Sequence, residues 1–415
     1  MLKVSILSIG DEICIGQIVN TNAAWMAKEV SAKGAAIVRH YTVGDDADEI
    51  KSGLKELLSI SDIVLLTGGL GPTHDDMTKA VLLDFFNDEL SFHDESYRNI
   101  LELLQKRGIV PTNQIKQMAM LPKTCLPLAN AVGAAPGMLF EYNNKHVISM
   151  PGVPNEMKYI MQNSVLPLIE KTIRNRKEDV VLYKTLITSG VAESVLADKI
   201  GIVDDFLGAN EHLAFLPSYR GVKLRIGVES KDFESCRAEL KRIESYITEK
   251  VGEYVVASED IPLSAVIGRK LIEKGETLSL AESCTGGLLG AEFTDISGSS
   301  AYFLGGIIAY SNDIKENILG VNHQTLLEHG AVSRETAEEM ARNVREKFQA
   351  SYGISITGIA GPTGGSPEKP VGTVWIGLST SGKTIAQKFI FTTDRDVNRK
   401  RAVGMALSMI LEELK

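Results

Sequence analysis

Cysteine is scarce in this chain: four residues among 415, at Cys14, Cys125, Cys236 and Cys284, with no CxxC pair. That spacing builds neither a disulfide frame nor a zinc knuckle, and it implies a reducing, cytoplasmic setting. A basic excess is missing too. Lys plus Arg number 44 against 53 Asp plus Glu, a formal charge of −9, which opposes phosphate-backbone binding and speaks against nucleic acid as a partner. No apolar run approaches the roughly 18 residues of a membrane helix. The most apolar stretches, such as DIVLLTGG, break at glycines, and the N-terminal MLKVSILSIGDE is too short for a signal-peptide core and reads as a buried strand. The chain is therefore expected neither to span nor to enter a membrane. Fixed-period repeats and low-complexity segments are also lacking, which excludes solenoids and linker tails.

What remains is an ordinary globular composition, 44% hydrophobic and 23% charged, with a mean hydropathy of +0.02. The length suggests two or three domains. Up to about residue 170, β-rich runs (VSILSIG, AAIVRHYTV, DIVLLTGG, HVISMPG) alternate with helical patterns (NAAWMAKEVSAKG, DEIKSGLKELLS), predicting a parallel α/β layer fold. After the charged stretch RNRKED a second segment reads β-α-β-β-α-β, a small two-layer α+β domain. A third α/β unit begins after SEDIPL. The expected boundaries are 1–172, 173–258 and 259–415.

Two regions carry chemistry. In DIVLLTGGLGPTHDDMTKAV, Thr67, Gly68, Gly69 and Gly71 end a buried strand directly before a helix expected to start near His74 or Asp75. Glycines let backbone approach a phosphate, and a helix start supplies N–H groups. Asp75 and Asp76 would repel such a ligand unless a divalent cation bridged them, which points to metal-assisted phosphoanhydride chemistry. A tight connection with two helix-capping aspartates fits the same residues. Asn20, Asn22, Glu12 and Glu156 follow the ends of other strands and would converge on the same crevice. His74 is read as a solvated loop histidine.

In TLSLAESCTGGLLGAEF, Ser283 ends a strand before Thr285, Gly286, Gly287 and a helix, as a displayed nucleophile would, with helix-start N–H groups for an oxyanion. Cys284 is the rival nucleophile, and strand alternation lets only one of the two line the site. His323 and His329 read as surface residues, so the expected base is Lys315, five residues after Tyr310 in YSNDIKENILGV. A dry pocket would lower the lysine pKa, and the tyrosine would orient or relay its proton. A second turn, ISITGIAGPTGG, offers Thr357, Gly358, Gly361, Gly364 and Gly365; Arg395 and Arg399 suit a phosphate, although helix-surface arginines are the plain alternative.

Together TGGLGPTHDD, GQIVNTNAAW, MPGVPNEM, AESCTGG, AYSNDIK and SITGIAGPTGG resemble the CinA family, competence/damage-inducible protein A, along essentially the whole chain. The resemblance implies a molybdopterin-binding-like N-terminal α/β domain with ADP-ribose pyrophosphatase activity that needs a divalent metal of the magnesium, cobalt or manganese type. It implies a KH-like middle domain and a C-terminal α/β nicotinamide mononucleotide deamidase of the PncC type that uses no cofactor. It also implies a homodimer acting on small nucleotides. Ser283, Tyr310 and Lys315 match the family's deamidase residues, with Thr357 and Arg399 in support. The stretch from Thr67 to Thr73, with Asp75 and Asp76, matches its phosphate and metal positions. The middle segment lacks a GxxG flanked by basic residues, which opposes RNA binding. A non-catalytic adaptor in DNA uptake and a pterin-nucleotide transferase are the competing readings; neither needs Ser283, Tyr310 and Lys315 together.

Overall fold

The computed structural model describes residues 1–71, 76–110 and 113–415, with side chains from 115 in the last stretch. The chain forms two compact units, residues 1–183 with 208–211 and 227–242, and residues 184–207 and 212–226 with 243–415. Three main sheets, of six, four and five strands, organise it.

In the six-stranded sheet the strand Lys3–Ile9 is buried at every position but the first. It shows no alternation because helices cover both faces of a parallel sheet. It lies between Ala36–Val43 and Ile63–Thr67, and Ile63–Thr67 in turn pairs with Lys145–Met150, all in parallel. Helix Ala47–Ile60 is capped by Asp46, whose carboxylate accepts from Asp48 N and Glu49 N, and it buries Ile50, Gly53, Leu54, Leu57 and Leu58 on one stripe. The expected parallel α/β layer is present, and two antiparallel strands add to it. Gly137–Tyr142 and Leu126–Leu128 extend it in antiparallel fashion. The first is joined to Lys145–Met150 through Asn143 and Asn144, at φ 49° and 62°. Two consecutive left-handed asparagines make a tight hairpin turn, and that signal was present in the sequence.

The middle segment realises the expected order: strand Val180–Thr188, helix Glu193–Ile200, strands Glu211–Ser218 and Gly221–Ser230, helix Phe233–Val251 and strand Val255–Ala257.

The five-stranded sheet centres on Leu278–Glu282, parallel to Phe303–Ile308 on one side and Tyr352–Gly358 on the other. Thr373–Ser379 and Thr384–Ile390 complete it in antiparallel fashion. Helix Arg334–Phe348 starts at Ser333, whose hydroxyl accepts from Thr336 N, and buries Thr336, Ala337, Met340, Ala341 and Val344 against this sheet. Its backbone comes so close that a Cβ on Gly353 would collide with the Ala341 carbonyl, and one on Gly377 with the Ala337 carbonyl. Ser355 Oγ donates to Ala337 O at 2.6 Å in the same seam. Thr67 and Glu282 thus end central parallel strands, the place where ligand crevices of α/β sheets open.

Gly353→Ala should lower stability by about 1–3 kcal/mol, the scale of overpacking a filled interior, measured by denaturant unfolding. An unchanged unfolding curve would contradict the close helix-to-sheet approach.

Candidate active sites

The N-terminal crevice is a cavity of about 570 Å³ at the end of Ile63–Thr67. Gly68 and Gly69 have φ of 111° and 64°, and a Cβ on Gly68 would collide with the Ile9 carbonyl, so this turn requires glycine. Thr78 fastens it: its Oγ1 donates to Gly68 O at 2.9 Å and its N–H to Gly69 O at 3.1 Å. The following helix is Thr78–Phe86, starting later than the sequence suggested. Thr73, His74 and Asp75 lie outside the described residues.

Asn22 Nδ2 donates to Gly152 O at 2.7 Å and to Thr67 Oγ1 at 3.3 Å, while its buried Oδ1 has no partner. Asn20 also lines the cavity, with its Oδ1 accepting from Ala23 N to cap helix Thr21–Ala32 and its Nδ2 donating to Ser8 Oγ at 2.8 Å. Glu12, Asp45, Asp76 and Glu156 line the cavity, and among the described residues no basic side chain does. Three of these carboxylates rest where a glycine leaves room: Glu12 over Gly10, Asp76 over Gly71 and Glu156 over Gly133. Glu156 Oε2 also accepts from Asn130 Nδ2 at 2.6 Å. Among the described residues no three acidic, histidine or cysteine side chains already form a cation cage. The donors present are oxygens, the set that suits a hard divalent cation held by one or two carboxylates together with ligand phosphate. Asp45 and Asn130 were not found from the sequence, because neither belongs to a recognisable motif.

The C-terminal site assembles around Ser283. Its N–H donates to Ile356 O at 2.9 Å, extending the central strand by one residue. Lys315, on the π-helical turn Ile314–Ile318, is 1% exposed, and its Nζ lies 3.0 Å from Ser283 Oγ. Nζ also donates to Ala309 O at 2.7 Å and Tyr310 O at 3.3 Å. Burial pushes the Lys315 pKa down to about 8, against a smaller raising influence from Cys284. Cys284 belongs to the apolar core, and burial pushes its thiol up to about 11. His323 pairs with Glu316 and His329 lies near Glu328 and Glu335, both on the surface.

The supporting residues divide. Tyr310, 60% exposed, offers its hydroxyl to Arg395 Nη2 at 3.1 Å, while Arg395 Nη1 donates to Gly361 O at 2.9 Å. Arg399 Nη2 donates to Thr285 O at 2.7 Å, tying the Ser283 turn to helix Arg395–Glu413. Thr357 Oγ1 donates to Ala331 O at 2.7 Å and is 1% exposed, and a Cβ on Gly358 would press on Thr373 O, so both sit in the framework. Gly286 and Gly287 adopt φ of 60° and 94°. The helix-start N–H groups assigned to an oxyanion from the sequence are engaged instead by Glu282, whose carboxylate accepts from Gly287, Leu289 and Gly290 N–H. Glu282 and Asn398 are the residues that sequence reasoning missed. Asn398, fully buried, donates to Ala360 O and Thr392 O and accepts from Thr392 N and Oγ1. Glu282 lies inside AESCTGG but received no role there, and an asparagine within a helix carries no distinguishing pattern.

Three successive stretches of the chain match family models of known proteins. Residues 5–171 match the model of a probable molybdopterin binding domain, 183–257 that of the damage-inducible protein CinA KH domain, and 260–414 that of the CinA C-terminal domain. A CinA-like protein of Chloroherpeton thalassium is 41% identical, covering 99% of this chain and 98% of its own. A putative competence-damage inducible protein of Halothermothrix orenii is 41% identical, with 99% and 98% covered. A crystal structure of a CinA superfamily protein from Klebsiella pneumoniae is 36% identical over 37% of this chain and 95% of its own, with a TM-score of 0.36. With full-length relatives at this identity and three domain models in the same order, the chain belongs to the CinA family.

Proposed function

We propose that the C-terminal unit is an amidohydrolase that converts nicotinamide mononucleotide to nicotinic acid mononucleotide and ammonia. We further propose that the N-terminal crevice cleaves the pyrophosphate of ADP-ribose with a divalent cation. The observation that carries the first reading is a lysine 1% exposed whose Nζ lies 3.0 Å from a serine hydroxyl, with its pKa lowered to about 8. A neutral amine has two N–H donors and one lone pair. The carbonyls of Ala309 and Tyr310 take the two donors, which leaves the lone pair for the Ser283 proton.

The reaction then follows ordinary acyl transfer. Ser283 Oγ gives its proton to Lys315 Nζ and bonds to the carboxamide carbon; the carbonyl oxygen becomes an oxyanion. Lys315 returns the proton to the amide nitrogen as the C–N bond breaks, releasing ammonia and leaving an ester on Ser283. Water, deprotonated by the same amine, then attacks the ester carbon and frees Ser283 and the acid. The N–H groups of Cys284 and Thr285 donate to no carbonyl or carboxylate among the described residues, and they directly follow the nucleophile, so they are the oxyanion donors. Tyr310, exposed and held through Arg395, would pack against the pyridinium ring of a bound nucleotide.

In the N-terminal crevice, Glu12, Asp76 and Glu156 are the residues that would hold the cation, and the unpartnered Asn22 Oδ1 offers an additional oxygen. The cation would neutralise phosphate charge and activate water. Without it, an acidic lining repels a pyrophosphate.

Ser283→Ala should stop ammonia release from nicotinamide mononucleotide while substrate still binds, Lys315→Met should cost on the order of 10²-fold or more in turnover, and Cys284→Ala should be mild. Turnover of the native enzyme should fall as pH drops through about 8, because only the neutral amine accepts the serine proton. An inactive Cys284→Ala beside an active Ser283→Ala would reassign the nucleophile. For the other site, Asp76→Ala or Glu156→Ala should remove cation-dependent ADP-ribose cleavage, followed by product chromatography, and leave ammonia release intact. Loss of both activities in a folded variant would contradict the assignment of separate sites.

A further inference from the structure

The turn that carries Ser283 is followed by five consecutive N–H groups that are already engaged. Gly286 N donates to Ser283 O at 3.1 Å and Leu288 N to Thr285 O at 3.3 Å. Gly287 N and Leu289 N donate to one oxygen of Glu282 at 3.0 and 3.1 Å, and Gly290 N donates to the other at 2.8 Å. Glu282 is 3% exposed and immediately precedes the nucleophile. A carboxylate removed from water in this way is tolerated only where charge-assisted hydrogen bonds replace its hydration, and three N–H donors do so here.

A helix that merely needed a cap would take it from the residue before its first turn. That position is Gly287, at φ 94°, with no side chain to offer. The acceptor comes instead from the end of the central strand, so one side chain links the residue before Ser283 to the start of the helix after it. The segment between them is thereby closed into a loop held at both ends. Ile356 O holds Ser283 N, and Arg399 holds Thr285 O from outside. Among the described residues, the Cys284 and Thr285 N–H groups of this loop donate to no carbonyl or carboxylate, which leaves them for a substrate.

We propose that Glu282 is a positioning residue for the deamidation: its carboxylate fixes the Thr285–Gly287 turn so that the Cys284 and Thr285 N–H groups stay aimed at the developing oxyanion. The proposal rests on the amidohydrolase reading. The Glu282 carboxylate gives its hydrogen bonds to the turn and, among the described residues, hydrogen-bonds to neither Ser283 Oγ nor Lys315 Nζ, so it acts on the transition state through the backbone. Oxyanion donors accelerate only when held in place beforehand, and a displacement of about 1 Å costs on the order of 10²-fold.

The test uses the full-length protein with Glu282→Gln and Glu282→Ala, assayed for ammonia release from nicotinamide mononucleotide across pH. Gln keeps the shape and one acceptor oxygen, so it remains informative if the Ala variant does not fold. The expected result for the folded Gln variant is kcat lower by roughly 10²-fold with KM within about threefold. The acid limb should stay at the native midpoint, because Glu282 is not among the groups that shift Lys315. An unchanged kcat, or a raised KM with kcat kept, would overturn the proposal, as would a moved acid limb. An active native enzyme beside an unaffected Glu282→Gln refutes this role alone; a native protein that releases no ammonia removes the amidohydrolase reading itself.

Discussion

The burial of one amine governs the C-terminal site. Lys315 occupies the interior, 1% exposed, with two carbonyls and one hydroxyl around Nζ and, among the described residues, no carboxylate paired with it. An ammonium so placed is disfavoured, and its pKa falls from 10.5 to about 8. The consequence for stability follows from linkage. Because the folded value lies below the unfolded one, the unfolded chain binds more protons between these two pH values, and stability rises with pH across that window. Below about 8 the buried charge weighs against folding in full, by a few kcal/mol at roughly 1.4 kcal/mol per pKa unit. A methionine would pack there without that penalty, so the buried lysine costs stability that the proposed chemistry would explain.

The two units place their crevices alike and equip them oppositely. Each uses a glycine turn at the end of a central parallel strand, following Thr67 in one and Glu282 in the other. At Gly68 the glycine is forced by the neighbouring Ile9 carbonyl, and the surrounding wall is acidic, which makes a cation the natural companion of an anionic ligand. After Glu282 the turn's N–H groups are consumed internally except beside the nucleophile. The same local motif thus serves the proposed anion-and-cation crevice in one place and the proposed acyl-transfer site in the other. The difference is made by a few carboxylates and their neighbours.

Much of this was legible in the chain. The apolar runs ending in glycine located the central strands, the β-α-β-β-α-β order of the middle segment is as the hydrophobic pattern predicted, and AESCTGG with YSNDIK brought Ser283 and Lys315 forward together. The antiparallel hairpin around Asn143 and Asn144 was missed because a single β-rich run beside a strong parallel pattern attracts no separate attention. The bonds of Arg395 to Tyr310 and of Thr357 to Ala331 were not legible, because a side chain's partner depends on elements far away in sequence. Glu282 escaped notice for the same reason: a buried carboxylate is explained by the three N–H groups that surround it, and these appear only once the turn has folded.

All of the chemistry proposed for the C-terminal site requires Lys315 to be a poised base. Titration of its Nζ by NMR in the folded protein, with ¹⁵N-labelled lysine and Lys315→Met for assignment, measures this without assuming any substrate. The expected midpoint is near 8. A midpoint at or above the ordinary lysine value of 10.5 would mean that the amine is charged throughout the neutral range and cannot take the Ser283 proton, and the proposed chemistry would fail with it.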